Sequence, residues 1–206
     1  VDYATLIADK ATAGSIRSWV NHNLLDVAQI VEEAEALIAQ TLRVREMRVS
    51  ATLALAAGES AKALPAGFLD PIALTDTTNA LTLSLRGEAD LERLRRYEAG
   101  VLAAGVATSY AIFDEALQFE TQYDGAATLR LLYFARWTPL ATSGTNFLTA
   151  RYPHLLRTAC LAGAHAFRNN DTRQQLELQK LATLIQKTNA ESDLSYRGLA
   201  IENHVG

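Results

Sequence analysis

Residues 26–55 read DVAQIVEEAEALIAQTLRVREMRVSATLAL, and a change of period inside this stretch decides the fold class. From Asp26 to Leu42, positions Ile30, Ala34, Leu37, Ile38 and Thr41 recur at three- and four-residue spacing, which is one face of a helix. Asp26 with Gln29 has the spacing of a capping box, so the helix starts near Asp26. Glu32, Glu33 and Glu35 lie in the early turns, where carboxylates suit the positive end of the helix dipole, and are expected to form a solvated face. From Val49 the period becomes two. Val49, Ala51, Leu53 and Leu55 alternate with Ser50, Thr52 and Ala54, as a strand with one buried face requires.

Downstream, Gly58 to Lys62 reads as a turn, and Phe68–Leu74 and Leu81–Leu85 as strands, with Pro71 favouring a sheet edge. Glu88–Ala99 predicts a short surface helix stopped by Gly100, followed by a flexible stretch from Val101 to Gly105. The runs Ala107–Phe113, Leu117–Thr121 and Ala127–Trp137 are separated by Asp114-Glu115 and by Tyr123-Asp124-Gly125; Asp-Gly signals a hairpin, and the three predict an antiparallel meander. The helical period then returns. Pro153 suits a first turn, the helix should reach Phe167, and Ala159, Ala162, Gly163 and Ala166 give it a face that another helix can approach closely. Asp171 and Gln174 repeat the capping pattern before a second helix carrying Leu178, Leu181 and Ile185 to about Asn189. Ala190 to Gly206 lacks periodicity and is expected to be an arm. The expected class is α+β: a mainly helical body, made of a long N-terminal helix and a C-terminal helical hairpin, with an inserted antiparallel β region. One domain, 1–193, would hold the β-rich insertion at about 47–137, with 194–206 as an extended C-terminal arm.

Composition narrows the function. Of 206 residues, 49% are hydrophobic and 20% charged, as in ordinary soluble globular proteins. A formal net charge of −4 supplies no basic footprint for tight nucleic-acid binding. The single cysteine, Cys160, excludes an intramolecular disulfide and a thiol-rich metal site. The opening residues carry no basic segment followed by an apolar run, and no stretch has the ~18 apolar residues of a membrane span, so neither secretion nor membrane insertion is expected.

Motifs that carry chemistry are scarce. There is no nucleophile elbow, no phosphate loop and no His-x-x-x-His or Cys-x-x-Cys spacing, so no catalytic residue, cofactor or metal is expected. His154 and His165 share a helical face but stand about 16 Å apart along it, too far to hold one ion. His22 and His204 read as surface residues, and Cys160, among alanines and leucines, as an inert buried thiol. An acid–base pair at Asp114 and Glu115 is disfavoured because adjacent residues of a strand turn point apart. Arg43, Arg45 and Arg48 close the first long helix; they can either complement its dipole or form an interface that pairs with carboxylates. Arg93, Arg95 and Arg96 read as a solvated face. Tyr133, Phe134, Trp137, Phe147 and Tyr152 either pack between sheet and helices or contribute to an interface.

Four segments together resemble the head-to-tail adaptors of tailed bacteriophages. They are Thr41-Leu42-Arg43-Val44-Arg45-Glu46-Met47; Leu64-Pro65-Ala66-Gly67-Phe68-Leu69; Leu131-Leu132-Tyr133-Phe134-Ala135-Arg136 with Pro139 and Leu140; and Thr145-Asn146-Phe147-Leu148 through Arg151-Tyr152-Pro153-His154-Leu155-Leu156, followed by the alanine-rich helix and Asn169-Asn170-Asp171. The resemblance implies a non-enzymatic virion subunit, one of a ring of usually twelve, docked on the portal protein and joined to tail or nozzle proteins. Genomic DNA would pass through the channel without specific binding, and no membrane is involved. It carries no site residues with it. The interface residues expected from the sequence itself are Arg43, Arg45 and Arg48, with Leu194, Tyr196, Arg197, Leu199 and Ile201 of the arm, which would order only on assembly. The competing reading is a small α+β protein-binding module that uses the sheet edge near Pro71 and forms no ring.

Overall fold

The structure, a computed structural model, describes residues 2–98 and 100–202, with side chains as far as residue 193. In chain order the helices α1 (Tyr3–Ile7), α2 (Ile16–Val20) and α3 (Val27–Thr41) lead into β1 (Arg48–Leu55), β2 (Ala61–Ala63), β3 (Phe68–Asp76) and β4 (Leu81–Leu85). Then follow α4 (Glu88–Leu94), β5 (Tyr97–Glu98), β6 (Val101–Leu102), β7 (Ser109–Phe113), β8 (Ala116–Phe119) and β9 (Ala127–Ala135). The chain ends in α5 (Leu140–Ser143), α6 (Phe147–Arg151), α7 (Pro153–Phe167) and α8 (Asp171–Glu202). The protein is a mixed α+β molecule of two compact units, Val1–Met47 with Trp137–Gly206, and Arg48–Arg136. Among the described residues, no helix is long and apolar enough to cross a membrane.

In the helical unit α7 is the central element, packed on α2, α3, α6 and α8. It owes this to its small residues. A Cβ on Gly163 would stand 3.1 Å from Ile30 Cγ2, so α3 lies against α7 as closely as glycine permits. Asp26 caps α3 by accepting from the Gln29 N–H at 3.2 Å. The capping box is only half formed, because the Gln29 side chain turns forward to Glu33. At α8 the cap is Asn170, whose side chain accepts from the Arg173 N–H, one residue ahead of the expected Asp171. The helix does not stop near Asn189 but continues to Glu202, which corrects the expectation of an extended C-terminal arm. Ala190-Glu191-Ser192-Asp193 contains no glycine or proline to break the helix, so weak periodicity alone did not end it. The side chains of Leu194, Tyr196, Arg197, Leu199 and Ile201 lie outside the described residues.

The second unit is built on a seven-stranded sheet of order β1-β9-β3-β4-β7-β8-β2. Its core is formed by Leu74, Leu117, Phe119, Tyr123, Leu129 and Leu131, all 1% exposed or less. β1 alternates as expected from Ala51 to Leu55, with Leu55 buried and Thr52 and Ala54 exposed, but Val49, expected on the buried face, is exposed. Asp114 and Glu115 both take positive φ (51° and 55°), the conformation of a type I′ hairpin turn joining β7 to β8. The expected meander is nevertheless wrong at its second connection. β9 crosses to pair with β1 and β3, so Asp124-Gly125 turns a crossover rather than a hairpin, and β4 pairs with β7 in parallel. Nor does Pro71 mark an edge strand, since β3 is flanked on both sides; the proline lies at a register shift opposite Tyr133, beyond residues 74–76 that pair with β4. The helix expected to reach Ala99 ends at Leu94, and Tyr97–Glu98 pairs antiparallel with Val101–Leu102, at the start of the stretch expected to be flexible.

Candidate interaction surface

A buried carboxylate of α3 ties together residues 137–146, which belong to the later segments of the family resemblance. Glu35, expected on a solvated face, is 4% exposed. It accepts hydrogen bonds from Trp137 Nε1 (2.9 Å), the Leu140 N–H (3.0 Å) and Asn146 Nδ2 (2.8 Å). Helical spacing sets it on the α3 face shared with Val31 and Ile38, both buried, and away from exposed Glu32 and Glu33. Asn146 in turn caps α6 through a complete box with Thr149. A ladder of edge-on rings follows: Trp137 to Phe147 at 5.3 Å, Phe147 to Tyr152 at 6.1 Å and Tyr152 to His154 at 6.4 Å. Tyr133 instead stacks on Phe68 in the sheet unit, so the five aromatics divide between two cores.

Beyond the ladder the helical unit presents charge. A shallow cleft of about 160 Å³ is lined by Arg45, Glu46, Arg151, Tyr152, Glu191 and Ser192. Glu46 is paired with Arg151 and accepts from Tyr152 Oη at 3.4 Å. Burial and then the Glu46 charge raise the Tyr152 phenol above its ordinary pKa, so it remains a hydrogen-bond donor. Arg45 is anchored by its backbone N–H to Ser192 Oγ at 3.0 Å. Its guanidinium is exposed and, among the described residues, makes no hydrogen bond or ion pair.

The other two arginines of the trio are placed differently. The Arg43 guanidinium donates to the carbonyls of Ala39 (2.8 Å), Leu42 (2.7 Å) and Gln40 (3.3 Å), satisfying acceptors at the end of α3. Arg48 belongs to the sheet unit, where it lies over the Phe134 ring at 5.7 Å. In the second cluster, Arg95 is not solvated: its side chain is 12% exposed, donates to the Phe119 carbonyl and Gln118 Oε1, and covers the Phe113 ring.

Burial and then the Glu35 charge push the Cys160 thiol well above its usual range, so it stays protonated and unreactive. Among the described residues, no group of three or more His, Cys, Asp or Glu side chains is placed to hold a metal ion. Asp114 and Glu115 are exposed at their hairpin tip.

No curated protein matches the chain. A family model described as SU10 adaptor protein matches residues 2–201, nearly the whole chain and both units, in agreement with the resemblance read from the sequence. The chain belongs to this adaptor family of phage structural proteins.

Proposed function

We propose that the protein is a non-enzymatic virion subunit that assembles in the host bacterial cytoplasm into a ring, of twelve copies on the family resemblance. The ring docks beneath the portal, connects it to tail or nozzle proteins and lines the channel through which DNA leaves the head. The observation that carries this reading is the family match over residues 2–201. The charged cleft supports it further: a backbone-anchored Arg45 that is unpaired among the described residues is suited to an acidic patch on a partner. A net charge of −4 is compatible with a conduit that repels passing phosphates. Within this reading the helical unit forms the ring and meets the portal, and residues 48–136 form an insertion that reaches the tail.

The test is the mass of the purified protein by light scattering, alone and mixed with its candidate portal ring. A defined multimer on the portal is expected. A subunit that stays monomeric and indifferent to the portal would replace this function with that of a binding module.

A further inference from the structure

We infer that neighbouring subunits of the ring are joined by a leucine knob, Leu24 of one copy, seated in an apolar pocket between α2 and the start of α7 of the next. This rests on the ring proposed above. Leu24 is 81% exposed, the most exposed large apolar side chain among the described residues, yet its backbone is held on both sides. Arg17 donates from Nε to the Asn23 carbonyl at 3.2 Å and from Nη2 to the Leu25 carbonyl at 3.1 Å. The Leu24 N–H donates to His22 Nδ1 at 3.2 Å, and the His22 ring meets half-exposed Phe167 edge-on at 6.2 Å. Leu25, the next residue, is buried. An exposed leucine on a loop tip fixed in this way loses little freedom on docking, which favours a protein contact over a solvated turn.

The socket is on the same unit. Leu6, Trp19, Pro153, His154, Leu156 and Arg157 line a mostly apolar pocket of about 380 Å³, at the small end of ligand-site volumes and suited to an aliphatic side chain. The Arg157 guanidinium lies over the Trp19 ring at 5.1 Å, leaving a cation at the rim. Asp26, exposed two residues after the knob, supplies the opposite charge. Phe167, which meets His22 two residues before the knob, ends α7, whereas Pro153 and His154 of the socket begin it, about 20 Å away along the helix axis. Knob and socket are therefore separate patches on one subunit. Different complementary patches on one chain make a head-to-tail contact, the kind that closes a ring.

The test uses Leu24→Cys and His154→Cys, both at exposed positions; buried Cys160 will not compete for a maleimide. The two variants are mixed, assembled on the candidate portal ring and treated with a short bis-maleimide. The expected product is a dimer containing one of each variant, absent when either is assembled alone, and a chain carrying both changes should give a ladder up to the ring size. Rings of normal mass without that dimer would overturn the contact, as would linkage of His154→Cys to a portal cysteine, because a portal segment would then fill the socket. Failure of any ring to form would instead remove the adaptor function itself. As a second measurement, Leu24→Asp should weaken assembly at least tenfold while leaving the thermal unfolding of the free subunit unchanged.

Discussion

Glu35 ties α3 to the segment that follows the sheet. Its carboxylate satisfies three donors from Trp137, Leu140 and Asn146, which approach it from the segment that follows the sheet. Glu35→Ala leaves these donors buried without an acceptor and opens a void, so the expected loss is about 3 kcal/mol or more, read as a lower urea midpoint. Glu35→Gln keeps one oxygen but turns an amide towards a donor, and a loss of about 1–2 kcal/mol is expected by the same measurement. Arg45 is the opposite case, because among the described residues its exposed side chain makes no hydrogen bond or ion pair. Arg45→Glu is expected to leave the unfolding curve in place while weakening portal docking tenfold or more in a binding titration, since attraction to a carboxylate becomes repulsion. Normal docking by the folded variant would take Arg45 out of the interface. In the sequence Glu35 carried the wrong emphasis for a physical reason. A glutamate among glutamates on a helix reads as solvated unless its partners, more than 100 residues away, are known. Arg45 stands out in the sequence because it lies near the change from helix to strand, and its interface role is the proposal that the docking titration tests.

At the scale of the element, helices and strands with a strong period were legible and their partners were not. The bounds of α3, α7 and β1 follow from residues within each segment. The route of β9 between β1 and β3 is set by pairing across the sheet, so a local Asp-Gly signal misplaced it. The α3–α7 contact lies between these cases, because the small residues foretold a close approach without naming the helix that makes it. Gly163→Val is expected to destabilise the protein by about 2 kcal/mol, since a branched side chain cannot enter where a Cβ already meets Ile30 at 3.1 Å. Ile30→Ala in that background should recover part of the loss, although alone it removes buried surface. Additive effects in chemical denaturation would show that the two positions do not share one space.

For the whole molecule, the consequential fact is how the chain enters and leaves the sheet unit. β1 begins at Arg48 and β9 ends at Ala135, and the two strands are antiparallel neighbours with Arg48 opposite Phe134. Paired Cα atoms across such a ladder stand about 5 Å apart, so the unit hangs on two adjacent strand ends rather than on distant ones. The sheet keeps its own core, and its excision removes none of the polar contacts that bind Glu35 to residues 137–146 or Glu46 to Arg151. Replacing residues 48–136 by a short glycine-rich linker is therefore expected to leave the helical unit folded, with a helical circular-dichroism spectrum and a cooperative, if lower, thermal transition. Under the proposed function this shortened chain should still join the portal as a multimer but fail to recruit tail proteins. A shortened chain that is helical yet no longer binds the portal would move the docking surface into the sheet unit, whereas one without cooperative unfolding would show that the two units form a single folding domain.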